Sequence, residues 1–116
     1  MSHGEFWSTL QALVASSQVV IDRPKGSAHG SPEWIYPLDY GYLDGTMSGD
    51  GEGIDVWIGS VEPRMVTAIV CTVDPAKRDA EIKVLLGCSP AEQSLIVSLH
   101  RHAGQGALLV TAPDAR

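Results

Sequence analysis

The sequence predicts one α+β domain that is mostly β: a small barrel or curled sheet with a helix near each end. Three observations predict it. The chain has 116 residues, enough for a single core. Between residues 18 and 112 the apolar segments are short and broken by Gly/Pro-rich turns, which suits strands of a small barrel or curled sheet. Apolar residues recur at helical spacing in two stretches, one before those segments and one among the last. With 44% hydrophobic and 19% charged residues, the composition is that of a globular chain rather than a disordered one.

Residues 5–17 read as a helix, with Phe6, Trp7, Leu10, Leu13 and Val14 along one apolar stripe. Residues 18–23 read as a short strand centred on Val19, Val20 and Ile21. Residues 24–32 form a polar Gly/Pro/Ser-rich loop. The aromatic stretch 33–43 has the bulk of a strand, but Pro37 and Gly41 make it irregular or an edge. Strands follow at 54–60, 65–73 and 81–88, the last two joined by a charged connection. Ser89 can cap a helix, Pro90 suits its first position, and Glu92 completes a capping box. That helix, with Leu95, Ile96 and Leu99 on its apolar face, is expected to end near Gly104, and residues 106–112 give a last strand.

The net charge of −6 argues against nucleic acid or an anionic membrane surface as a partner. An anionic small ligand stays open, because bound metal can reverse a local field. No apolar run approaches the ~20 residues of a membrane span, and no secretory signal is expected at the N-terminus. Cys71 and Cys88 lie in apolar segments and read as free buried thiols, which fits a cytoplasmic location.

Four sets of residues carry the candidate chemistry. Asp50, Glu52 and Asp55 share one loop, Gly49-Asp50-Gly51-Glu52-Gly53-Ile54-Asp55, whose glycines let several oxygens converge. Carboxylates so crowded call for a compensating cation or for solvent, as in an acidic surface turn, and their oxygens suit hard ions such as Mg²⁺. Asp74 and Asp79 form a second acidic set. Arg23, Lys25, Lys77, Arg78 and Lys83 form a basic one, and tyrosines cluster around Tyr40. Acids for metal, bases for an anion and phenols to hydrogen-bond it make a coherent phosphoryl-transfer site. A calcium loop starting at Asp44 fails, because its twelfth position is Asp55 rather than Glu and its flanks are not helical.

At these residues the chain resembles the soluble family I inorganic pyrophosphatases. The family's Asp-Gly-Asp-Pro-Leu-Asp-Val signature is matched by Asp50-Gly51-Glu52-Gly53-Ile54-Asp55-Val56. Its Tyr-Pro-x-x-Tyr-Gly-Tyr segment is matched by Tyr36-Pro37-Leu38-Asp39-Tyr40-Gly41-Tyr42. Its Val-Val-Ile-Glu-x-Pro strand is similar to Val19-Val20-Ile21-Asp22-Arg23-Pro24, and Asp74 and Asp79 keep the interval of its two downstream aspartates.

The resemblance implies a single pyrophosphatase-like domain over residues 1–116, a five-stranded OB-like barrel with an N-terminal and a C-terminal helix packed on it. It implies Mg²⁺-dependent hydrolysis of pyrophosphate to two phosphates, with Mn²⁺ as a possible substitute and a homo-oligomer as a possible assembly. Asp50, Asp55, Asp74 and Asp79 would hold metal. Glu52 would assist the attacking water and Tyr40 would bond a phosphate oxygen. Arg23, Lys25, Lys83 and Tyr36 would bind substrate, and Asp22 and Glu33 would be outer acids. The alternatives are a related metal-dependent phosphohydrolase with another substrate and a catalytically weak metal- or phosphate-binding module.

The chain departs from the family at several points. Glu52 replaces an aspartate, Gly53 a proline, and Glu81 the lysine two residues after the second downstream aspartate; Lys83 shares the face of Glu81. A phosphate-binding arginine of the family has no clear counterpart here. A Tyr-Lys pair of the C-terminal helix is missing; His100, Arg101 and His102 occupy the comparable helix, either as substitutes for it or as a solvated helix end, the reading preferred for the histidines.

Overall fold

The structure, a computed structural model, describes residues 3–30 and 33–113. The elements run α1 (His3–Ala15), β1 (Val19–Arg23), β2 (Ala28–Gly30), β3 (Glu33–Ile35), β4 (Asp39–Leu43), β5 (Ile54–Ile58), β6 (Val66–Asp74), β7 (Asp79–Leu86), α2 (Pro90–His102) and β8 (Gly106–Thr111). Mixed α+β architecture dominated by strands is therefore observed. Six strands form one sheet in the order β1-β4-β5-β7-β6-β8, and β2 and β3 form a separate ribbon. The expected five-stranded OB-like barrel is not what this ladder forms: six strands make an open sheet with β1 and β8 at its edges. The β2–β3 ribbon falls partly where a structureless polar loop was expected; its β2 strand, Ala28–Gly30, carries no apolar alternation to mark it.

The centre of the sheet is the parallel pair β5/β7, in register at Val56↔Val84, Trp57↔Leu85 and Ile58↔Leu86. All six side chains are buried, which is why the paired triplets Val56-Trp57-Ile58 and Val84-Leu85-Leu86 are apolar throughout. The two faces carry different cores. Trp57, Leu85, Val70 and Tyr36 pack with Ile96 and Val97 of α2. Val56, Ile58, Val84 and Leu86 pack with Leu43 and with Val14 of α1.

α2 has the cap its sequence announces: Ser89 accepts from the Glu92 amide, and Glu92 accepts from the Ser89 amide. Glu92 also accepts from the Ser60 amide, which ties the exit of β5 to the helix start. The inward face of α2 holds Gln93, Ile96, Val97 and His100, while the expected Leu95 is exposed. On α1 only Val14 of the apolar stripe is fully buried; Phe6 and Leu13 are exposed.

Candidate functional site

On the α2 side of the sheet, toward the ends of β4 and β5, lies a cavity of about 290 Å³. Alternation brings Tyr40, Asp55, Trp57, Glu81 and Lys83 to its floor and walls. The loop of residues 49–53 adds Asp50 and Glu52, and β1 adds Asp22 and Arg23. A bulge between Ile21 and Arg23 shifts the register so that Arg23 lies opposite Tyr40. Its guanidinium then donates to Tyr36 Oη at 3.1 Å.

Lys83 is the hub. Its Nζ lies 2.9 Å from Asp55 Oδ2, 2.9 Å from Glu81 Oε2 and 3.0 Å from Tyr40 Oη. Its side chain is only 8% exposed. Burial works against the charge on Lys83, but the Tyr40 oxygen and the Asp55 carboxylate outweigh it and hold its pKa above the ordinary lysine value. Burial pushes the Tyr40 phenol well up, opposed by Lys83 and helped by Asp55, so the phenol stays protonated. Burial also raises Glu81; Lys83 opposes this and the nearby Asp50 adds to it.

Asp50 is held down at about 2 by hydrogen bonds from the Ser48 hydroxyl and the Glu52 amide. These bonds close the loop on itself, with the Gly51 amide donating to the Ser48 carbonyl at 3.0 Å. Gly53 has a packing reason: a Cβ there would sit 2.9 Å from the Tyr42 ring.

The back wall is aromatic and imidazole. Trp57 is fully buried, its ring centroid 4.6 Å from that of Tyr40. Its indole N–H donates to His100 Nε2 at 3.2 Å, so the imidazole proton sits on Nδ1 and donates to Gln105 Oε1 at 2.9 Å. Burial pulls His100 down to about 4, and the Lys83 charge adds to the effect. The expectation of a solvated helix end therefore fails for His100, which is 3% exposed, and holds for His102. Its helical phase places it on the face of Ile96 and Val97, where the Trp57 indole supplies a partner.

The cavity thus brings together nine of the residues the sequence singled out: Asp22, Arg23, Tyr36, Tyr40, Asp50, Glu52, Asp55, Lys77 and Lys83. Three others stand apart. Asp74 Oδ1 accepts from the Ala76 and Lys77 amides in the β6–β7 turn, and its Oδ2 reaches Gln105 at the cavity wall, 3.4 Å away. Asp79 faces Asp74 across the hairpin, beside a separate depression with Arg78. Lys25 gives its backbone amide to Asp39 and does not line the cavity. The Glu33 side chain lies outside the described residues.

Glu81 and Gln105 line the cavity without having been singled out as ligands. The signal for Glu81 was its spacing from Lys83. An acid two residues before a lysine on one strand shares its face, and Glu81 and Lys83 pair there. Gln105 had no local signal, because it is brought in by the turn after α2.

The carboxylates of Asp50, Asp55 and Glu81 are donors of the kind a hard divalent cation takes. As they stand, Lys83 occupies the space between two of them, and no three acidic, histidine or cysteine side chains among the described residues are grouped to ligate one ion. Among the described residues no helix is long and apolar enough to cross a membrane. No protein-family model matches the chain, and no curated protein matches it in sequence.

Proposed function

We propose that the chain is a Mg²⁺-dependent hydrolase of inorganic pyrophosphate, a short relative of the soluble family I pyrophosphatases. One observation carries the reading: acids (Asp50, Glu52, Asp55, Glu81), cations (Arg23, Lys77, Lys83) and phenols (Tyr36, Tyr40) line one cavity. Asp50, Asp55 and Glu81 would hold Mg²⁺ or Mn²⁺, whose chemistry is to acidify a bound water and neutralise phosphoryl oxygens.

The chain's own groups supply the rest. Arg23, Lys77 and Lys83 attract and orient the anion. Tyr40, kept protonated by burial, offers a phosphate oxygen a hydrogen-bond donor. Glu52, exposed at the mouth, takes the proton of the attacking water. Trp57, Tyr36 and His100 close the back wall against solvent. A cytoplasmic location and a homo-oligomer go with this reading.

The test is phosphate release from pyrophosphate with and without Mg²⁺. Absence of release at every Mg²⁺ and Mn²⁺ concentration sinks it. Glu52→Gln is expected to slow release on the order of a hundredfold; unchanged rates in both Glu52→Gln and Asp55→Asn would remove the site assignment. Glu52→Asp restores the family residue, and a faster rate would mean that the extra methylene limits catalysis. A second reading is favoured by the engagement of Asp55 and Glu81 with Lys83: a weak metal- and phosphate-binding module. Calorimetric phosphate binding that needs metal, with no turnover, is its signature. Release from other phosphate esters but not from pyrophosphate would identify a related phosphohydrolase.

A further inference from the structure

We propose that Lys83 is an internal cation that competes with divalent metal for Asp55 and Glu81, so that metal and a phosphate anion load the cavity cooperatively. The inference rests on the reading of this cavity as a metal and phosphate site, and it concerns how that site fills.

The ammonium of Lys83 has three N–H donors, and three oxygens receive them: Asp55 Oδ2, Glu81 Oε2 and Tyr40 Oη. Nothing is left on the nitrogen for a ligand. The two N···O distances to the carboxylates are both 2.9 Å. A magnesium ion needs oxygens at about 2.1 Å, so it cannot simply share this arrangement; the carboxylates must close in where the nitrogen stands. An ammonium and a dication about 4 Å apart also repel strongly at the effective dielectric of a partly buried site. One cation therefore excludes the other from the Asp55–Glu81 pair.

The stem of lysine is flexible, and the cavity beside it is open enough to receive the displaced head. Once displaced, all three donors face the space an anion would occupy. A phosphate draws Lys83 off the carboxylates and so opens them to metal. Metal expels Lys83 and so arms it for phosphate. The coupling is reciprocal by linkage.

The experiment is Mn²⁺ binding, followed by the electron paramagnetic resonance of free Mn²⁺, with and without inorganic phosphate. Lys83→Met is expected to bind Mn²⁺ at least about tenfold more tightly than the parent chain when phosphate is absent. Phosphate should tighten Mn²⁺ binding to the parent chain and leave the variant nearly unchanged. Lys25→Met removes a like charge that does not line the cavity, and should change Mn²⁺ affinity by less than about threefold. Equal tightening in both variants, or weaker binding in Lys83→Met, overturns the proposal.

The parent chain gives a measurement that needs no variant to fold. With ¹³C-labelled lysine side chains, Mg²⁺ should shift the Lys83 resonance toward that of a solvent-exposed lysine. A Lys83 signal unmoved while Mg²⁺ is bound, or no binding of either ion at millimolar concentration, also overturns it. None of these readouts uses turnover, so a chain that fails to release phosphate loses the hydrolase reading and leaves the competition standing.

Discussion

Two pairs of aspartates share one interval and meet opposite fates. Asp50 and Asp55 stand five residues apart, as do Asp74 and Asp79. The first pair spans a loop that runs straight into β5, and both carboxylates line the cavity. The second pair closes a hairpin. Asp74 and Asp79 face each other across it, and Asp74 satisfies the turn amides. An interval along the chain does not decide where a carboxylate points. What decides is whether the strand carries it under the cavity and which amides claim it first. Asp79, Glu81 and Lys83 alternate on one face, and two residues of strand, about 7 Å, separate the acid outside from the acid inside.

Asp55→Asn should cost about 3 to 4 kcal/mol, because it strips the nearly buried Lys83 of one of its two carboxylates. Urea unfolding at neutral pH measures it. An equal loss in Asp79→Asn would erase the contrast between the pairs.

His100 stands on the bridge between the two regions, linked through Gln105 to Asp74. The unfolded chain takes a proton near 6.5, whereas folded His100 refuses it until about 4. The contribution of His100 to stability is therefore fully present above pH 6.5 and is lost as the pH drops toward 4, by about 3 kcal/mol over that window. Melting curves of the parent and of His100→Gln should diverge in slope over this range; parallel curves would place the imidazole in water.

Asp74→Ala should cost about 1 kcal/mol, the worth of its turn hydrogen bonds. Asp79→Asn should change stability by less than about 0.5 kcal/mol and leave any Mg²⁺-dependent phosphate release within about twofold. Glu81→Gln should depress that release. If the order is reversed, the ligand set follows the five-residue interval rather than the cavity.

Local signals were legible and long-range placement was not. The capping box at Ser89–Glu92 appeared as read, because its partners lie within one helical turn. The strands at Val66–Asp74 and Asp79–Leu86 fell within two residues of their expected ends. The strand order was not legible, because no residue pattern announces that β7 inserts between β5 and β6. Most of the cavity was legible because its residues alternate along β4, β5 and β7. Asp74 and Asp79 were expected inside it because sequence gives spacing without saying which backbone amides a carboxylate serves. His100 was misread because its burial depends on a tryptophan 43 residues away.

Trp57 gives the molecule a dye of its own. It alone of the three tryptophans is wholly shielded from water, and its indole touches both a tyrosine of the cavity and the imidazole of His100. Its emission should therefore sit at the blue edge of the spectrum, and a ligand that shifts Tyr40 or His100 should register as a change of colour or brightness without any added label.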